Sequence, residues 1–435
     1  IGSGPWTLVT NQSIGPGVSH VILFTINISL DFSSESSGNN VYTKCGTTNP
    51  NFSTRGEGLF NRALLDFDAN GSIDVIDTSC TDIPFITIDK IYLGNTQKGV
   101  KLHNIQYQLI VRNTGGADGN YNLLDKPGFD DDITITNASY QSNVGLNGIL
   151  SNAVPLNGWI IASNRTIMAG KKDTFVLSID VELDLESQSL GNNTYRPCGF
   201  VNPIISRSGE GLFNVGFIDL NNDFRPERRD TVCSDLPYIT HEKTLLSQNY
   251  LIDDRVETNY LIRVINRGGL PGTYRIKDKP SFDDDLEIEH AEYRINNGLN
   301  LLLNNNPGPN GWTLASNKIL NPFSVDSIFI ILVSHFDLNP GSSGDQVYHV
   351  CKKNALGEYE AGNGLFNESL MDINNDGIDD QRDTVCSDYE IYDLALRKTC
   401  LSNVPVLTGD KLGFRVTIFN QGNQMARHIE IVDYL

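Results

Sequence analysis

The stretch Phe175-Val-Leu-Ser-Ile-Asp-Val-Glu-Leu183 puts Phe175, Leu177, Ile179, Val181 and Leu183 on one face and leaves Ser178, Asp180 and Glu182 on the other. A period of two over nine residues is the pattern of a strand with one buried face. It recurs 153 residues earlier as Ile22, Phe24, Ile26, Ile28 and Leu30, with Thr25, Asn27 and Ser29 opposite, and 153 later as Ile328, Ile330, Leu332 and Phe336. A second strand alternates Ile105, Tyr107, Leu109 and Val111 before Asn113-Thr-Gly-Gly. It returns as Tyr260, Ile262 and Val264 before Asn266-Arg-Gly-Gly, and as Phe414, Val416 and Ile418 before Asn420-Gln-Gly. Such strands, bounded by Asn/Gly turns, predict antiparallel sheets packed face to face. Seven to nine strands per repeat and no amphipathic helix are expected.

The landmarks between the strands keep the same interval. Trp6, Trp159 and Trp312 are 153 apart, as are Cys45, Cys198 and Cys351, and Cys80, Cys233 and Cys386. Gly-Glu-Gly-Leu-Phe at 56–60 returns at 209–213, and as Gly-Asn-Gly-Leu-Phe at 362–366. A repeat of this length closes its own core, so the chain reads as tandem domains, each an all-β sandwich of Ig-like type. Lys90 and Phe129–Asp132 match Lys243 and Phe282–Asp285, landmarks from early in a repeat, yet they follow the first Trp-Cys-Cys set. The period therefore predicts a first repeat without its front half, a last one without its back, and a window of a longer polypeptide.

With 53 acidic against 33 basic residues, the net charge of -20 disfavours nucleic acid and anionic lipid as partners. The most hydrophobic run, Ile328–Val333, is far shorter than the roughly 20 residues of a membrane helix. Two cysteines per repeat suit one bridge each, Cys45 with Cys80, Cys198 with Cys233 and Cys351 with Cys386, in an oxidising compartment. Cys400 is left over. Zinc spacing is absent.

Several segments resemble a known family: Ile86-Thr-Ile-Asp-Lys90, the strand ending in Asn-x-Gly, Asp-Lys-Pro-x-Phe-Asp-Asp-Asp at 125–132 and 278–285, the Gly-Pro-Trp or Asn-Gly-Trp strand, and Gly-Leu-Phe-Asn. Together with Asp393-Leu-Ala-Leu-Arg-Lys398 through Asp433-Tyr-Leu, they resemble the repeat domain of unknown function found in tandem in bacterial surface and secreted proteins, frequent in Bacteroidota and similar to prealbumin-like or Ig-like sandwiches. The resemblance implies a spacer, fibre or adhesive stalk and brings no enzymatic activity. Its boundary gives two complete repeats, 84–236 and 237–389, flanked by the back part of one (1–83) and the front of another (390–435). The short connections lack Pro- or Gly-rich linkers, which predicts a stiff rod.

The sharpest chemical motif is acidic. Asp372, Asn374, Asp376, Asp380 and Asp383 fall at positions 1, 3, 5, 9 and 12 of a loop with Gly377 at position 6, the spacing of a calcium loop. Asp66, Asp68, Asn70, Asp74 and Asp77, with Gly71, fit equally. In the middle copy Asp219, Asn221, Asp223, Glu227 and Asp230 remain, but Phe224 replaces the glycine, and Arg225, Arg228 and Arg229 would neutralise the carboxylates. The alternative for all three is a solvated acidic turn. Ca²⁺ is the expected ion, placed between the last strand of one domain and the first of the next. The triple aspartates at 130–132 and 283–285 offer a second cation site with Asp125 and Asp278, against the plainer reading of a charged loop at the sandwich end.

Lys90, Lys243 and Lys398, the last two residues out of phase, resemble lysines of surface-protein domains that form Lys to Asn/Asp isopeptide bonds. Such a bond needs a buried acid beside the pair; the alternative is a snorkelling or salt-bridged lysine. The seven histidines fall at seven different places in the repeat, and no hydrolase, zinc-protease or phosphate-loop motif occurs. Asn27, within a sequon on a polar strand face, is a glycosylation candidate. Thr231, Thr384 and Ser327, in Asp-Thr-Val and Asp-Ser-Ile, are others. The sequence therefore reads as an extracellular, disulfide-stapled structural array with its own repeats, identical subunits or surface glycans as partners. The competing class is an adhesin or glycan-binding array.

Overall fold

The computed structural model describes residues 5–30, 38–186, 191–223, 225–252, 255–337, 344–345, 347–390, 394–401, 408–409, 411–420 and 424–434. Phe224, Asp393, Gln421, Gly422 and Leu435, noted above, lie outside these. Every named element is a strand and every pairing is antiparallel.

After the hairpin β1 (Asn61–Leu65) and β2 (Val75–Ser79) come nine strands: β3 (Ile86–Gln97), β4 (Leu102–Asn113), β5 (Gly119–Pro127), β6 (Ile133–Ser142), β7 (Asn147–Leu150), β8 (Trp159–Ile167), β9 (Lys172–Leu183), β10 (Asn214–Asp219) and β11 (Arg228–Val232). They form a five-stranded sheet, β3-β4-β9-β6-β7, and a four-stranded sheet, β11-β10-β5-β8. The next nine repeat this layout: β12 (Ile239–Tyr250), β13 (Arg255–Asn266), β14 (Gly272–Pro280), β15 (Leu286–Ile295), β16 (Leu301–Leu302), β17 (Trp312–Leu320), β18 (Val325–Phe336), β19 (Asn367–Asp372) and β20 (Gln381–Val385). Their sheets are β12-β13-β18-β15-β16 and β17-β14-β19-β20. The chain closes on the hairpin β21 (Leu394–Cys400) with β22 (Phe414–Asn420).

The alternating residues make the cores. Phe175, Leu177, Ile179, Val181 and Leu183 of β9 are fully buried and meet Ile105, Tyr107, Leu109 and Val111 of β4. Trp159 and Trp312 are core residues, whereas Trp6 is half exposed. No strand is assigned over Ile22–Leu30. Its counterpart β9 is held between β4 and β6. Asn27, expected on a strand face, is therefore an exposed residue of irregular backbone.

The three expected disulfides form, each across 35 residues. Cys400 stands outside them. Among the described residues no helix is long and apolar enough to cross a membrane.

The chain enters and leaves each unit at opposite ends. Gly119, the first residue of β5, packs on Pro84 just before β3. The last residue of β5, Pro127, pairs with Asn214, which pairs with Val232, where the unit ends. The second unit repeats this through Gly272 against Pro237, then Pro280, Asn367 and Val385. Strands therefore run from one connector to the next.

Candidate functional site

Each unit buries a lysine cluster where the pattern calls for apolar side chains. On β3 the inward positions are Ile86, Ile88 and Lys90. The Lys90 side chain is wholly buried, and its Nζ meets the equally buried Asp125 carboxylate of β5. On the other side of that carboxylate, Asn214 Nδ2 of β10 donates to Asp125 Oδ1 at 3.0 Å. Asn214 is fully buried, and its Oδ1 accepts no hydrogen bond. The ammonium lies 5.0 Å from the centre of the Tyr107 ring. The second unit has the same cluster: Lys243 against Asp278, Asn367 Nδ2 to Asp278 Oδ2 at 3.2 Å, an unpartnered Asn367 Oδ1, and the Tyr260 ring at 5.1 Å. Lys398 meets Asp433 in the last segment.

Lys90 and Lys243 neither snorkel nor reach solvent, whereas the Lys398 side chain is partly exposed. Burial pulls the Lys90 and Lys243 ammonium groups below the usual lysine range and pushes the Asp125 carboxyl up, so desolvation drives the first pair toward neutrality. The cluster also joins the two sheets, because β3 belongs to the five-stranded sheet and β5 and β10 to the four-stranded one. Asp125 and Asp278 are thus engaged by lysine and asparagine rather than by the triple aspartates. Asp130 and Asp132 instead accept backbone N–H groups of Arg196, Asn193 and Thr194, fastening the loop that follows β9. Burial pushes Asp130 up to about 6.

The acidic loops are hairpin tips inside a domain rather than connectors between domains. The middle tip joins β10 to β11, and Asp219 pairs with Asn122 near the start of β5, so the tip lies toward the end where the chain enters. The twelfth loop residues are strand residues. Asp77 pairs with Ala63, Asp230 with Gly216 and Asp383 with Ser369. Asp230 and Asp383 accept the backbone N–H of Lys90 at 2.7 Å and of Lys243 at 2.6 Å. Hairpin register takes them away from the tip.

Carboxylate oxygens converge within 4.8 Å at Asp66, Asp68 and Asp74 in the first tip and at Asp219, Asp223 and Glu227 in the second. Asn70 and Asn221 turn their side-chain oxygens to backbone N–H groups two residues on. In the third tip Asp372 is bridged by Arg275 at 2.8 Å and Asp379 by Lys277 at 2.7 Å. Asn374 donates to Asp376, and Asp380 accepts from the Ile373 N–H. Cationic neutralisation, expected in the middle copy, thus occurs in the third and comes from β14. Arg228 of the middle copy instead stacks over Phe85 at 4.4 Å.

The connectors are the third recurrent feature. Tyr195 Oη donates to Asp235 at 2.9 Å and accepts the Leu236 N–H at 3.1 Å, while the same carboxylate accepts the Cys198 N–H. Tyr42 with Asp82 and Ile83, and Tyr348 with Asp388 and Tyr389, repeat the arrangement. The Asn-x-Gly-Gly turn of the following unit closes on it. Asn266 Oδ1 accepts the Tyr238 N–H, and a Cβ added at Gly268 would lie 2.2 Å from the Leu236 carbonyl oxygen. Leu236 and Tyr238 are fully buried in the core of the preceding unit. Glu210, of the Gly-Glu-Gly-Leu-Phe motif, accepts three backbone N–H groups of the disulfide loop, from Gly199, Val201 and Arg207. Thr231 is exposed on its edge strand, and Thr384 and Ser327 are partly covered.

No protein-family model and no curated protein matches the chain. Solved structures it is similar to include a biofilm associated protein, BSP domain, at 10% identity and TM-score 0.19, covering 69% of this chain and 58% of that one. Another is the exo-chitosanase CsxA of Amycolatopsis orientalis, at 7% identity and TM-score 0.18, with 72% and 28% covered. The chain thus spans little more than half of the first and under a third of the second. Likenesses at these TM-scores carry no argument about what this chain does.

Proposed function

We propose that this chain is a non-catalytic, extracellular structural array whose sandwich units form a stalk, fibre or filament at a bacterial cell surface. The observation that carries the reading is the connector: entry and exit at opposite ends, a Tyr-Asp-backbone clamp, and connector side chains buried in the preceding core. An array built this way gains stability from one core per unit plus nearest-neighbour contacts. The disulfides fit an oxidising, extracellular compartment.

The Lys90 and Lys243 clusters lie inside packed cores instead of in a cleft. A surface groove of about 650 Å³ beside β6 and β7, lined by Gln106, Tyr140, Ile149 and Ser178 among others, has no carboxylate, histidine, lysine or cysteine in its wall. Partners would be neighbouring repeats or identical subunits. In the alternative reading, an array gripping surface glycans, aromatic platforms are needed, and the two core tryptophans are buried.

Structural Ca²⁺ belongs to the same proposal. The unpartnered, buried Asp66 Oδ1 and the converging oxygens of the first two tips suit a hard cation, which Asp66, Asp68 and Asp74, or Asp219, Asp223 and Glu227, would hold. Thr231 is the most accessible of the proposed strand glycosylation sites. Immunogold labelling of intact cells with antibodies raised against residues 84–389 tests the location and form. Labelled projections at the cell surface are expected; label confined to the cytoplasm would overturn the reading.

A further inference from the structure

We propose that each complete unit closes an intramolecular amide bond between its buried lysine and its buried asparagine, Lys90 with Asn214 and Lys243 with Asn367, with Asp125 and Asp278 as the respective proton carriers. Four observations converge on this. Lysine, aspartate and asparagine come together on three different strands with no solvent access, and do so twice. One carboxylate touches both the lysine nitrogen and the asparagine amide nitrogen. The amide oxygen is buried without a donor in both units. The lysine stands against an aromatic face, 5.0 Å from the centre of the Tyr107 ring and 5.1 Å from that of Tyr260.

As a noncovalent arrangement this is costly, because an ion pair is taken out of water and an amide oxygen is left unsatisfied. As a reacting arrangement every part has a use. Burial favours the neutral amine, whose lone pair is the nucleophile, and the neutral carboxyl, which is the acid. Lys90 Nζ adds to Asn214 Cγ, and one Asp125 oxygen takes the proton released from Nζ. The other oxygen, already hydrogen-bonded to Nδ2, protonates that nitrogen. The Cγ–Nδ2 bond breaks and ammonia departs. Amine plus primary amide gives secondary amide plus ammonia, the carboxyl ends as it began, and no oxidant or co-reactant is consumed. Joining Lys90 to Asp125 instead would expel water and use up the acid that the proton transfers need. The product would tie β3 of one sheet to β10 of the other, across the core that a pulling force along the array would open.

Intact-mass spectrometry of the reduced chain tests this directly. Each bond removes one ammonia, about 17 Da, so two complete units predict a deficit of about 34 Da from the sequence mass. Peptide sequencing should recover a branched peptide joining the Lys90 and Asn214 segments. Asp278→Asn should halve the deficit, the first unit serving as an internal control for folding, and Asn367→Ala should do the same. A full-length mass without deficit overturns the proposal. A deficit of about 36 Da, two waters, overturns asparagine as the acceptor, and an undiminished deficit in Asp278→Asn overturns the role of the aspartate.

Discussion

Replacing Gly268 by alanine presses on the connector at its tightest point. The added methyl would sit 2.2 Å from Leu236 O, 2.5 Å from Tyr238 N and 2.7 Å from Pro237 C, all backbone atoms, so no side chain can rotate away. Gly268 is not among the glycines with positive φ, so the cost is steric alone. Overpacking of this kind costs about 1–3 kcal/mol. At about 2–4 °C per kcal/mol for a unit of this size, a cost of about 2 kcal/mol lowers the melting temperature by roughly 4–8 °C. Gly99→Ala is the matched control, since a Cβ there meets nothing within 4 Å. Calorimetry of both variants beside the parent decides the matter. A Gly268→Ala profile superimposing on that of Gly99→Ala would refute the claim that the Asn-x-Gly-Gly turn is clamped onto the connector.

Removing the second disulfide by Cys198→Ala with Cys233→Ala should cost about 3–4 kcal/mol in denaturant unfolding, the entropy of a closed loop of this length; an unchanged midpoint would contradict it. His103 is buried with neither ring nitrogen partnered, and burial holds it down at about 4. Its folded value lies below the unfolded one, so as pH falls from about 6.5 toward 4 the unfolded chain takes the proton first, and stability drops by about 1.4 kcal/mol per pH unit. Asp130, raised by burial, acts oppositely in the same window. The difference between parent and His103→Gln should therefore shrink by that slope on acidification; parallel stability curves would refute it. For calcium, Asp223→Asn should reduce the stabilisation that added Ca²⁺ gives, measured by calorimetry, more than Asp376→Asn, because Arg275 and Lys277 already neutralise the third tip. Equal losses would contradict that ranking.

The strands, their inward faces and the disulfides were legible because each is written locally and three times. Phe175 to Leu183 shows its face by period two, and the cysteines by a constant interval. What stayed hidden depends on which strands pack across the core. Lys90 breaks an apolar alternation, and Lys90 and Asp125, Lys243 and Asp278, and Lys398 and Asp433 are each 35 residues apart. That interval was a usable signal. Asn214 stood in plain view at the end of Gly-Leu-Phe-Asn, but only the pairing of β10 beside β5 brings it to Asp125. The acidic loops were legible only in part. Their spacing fits a cation, while hairpin register, which spacing does not encode, removes Asp230 and Asp383 to the lysine strand.

Small-angle scattering of the chain tests the extended array most directly. Strands of nine to twelve residues run from connector to connector, and at about 3.3 Å per residue each unit adds roughly 30–40 Å of length. The account predicts a distance distribution with an early peak at the sandwich cross-section and a long tail, lengthening by that step with each unit added. A symmetric distribution from a compact particle, with units folded back on one another, would contradict it.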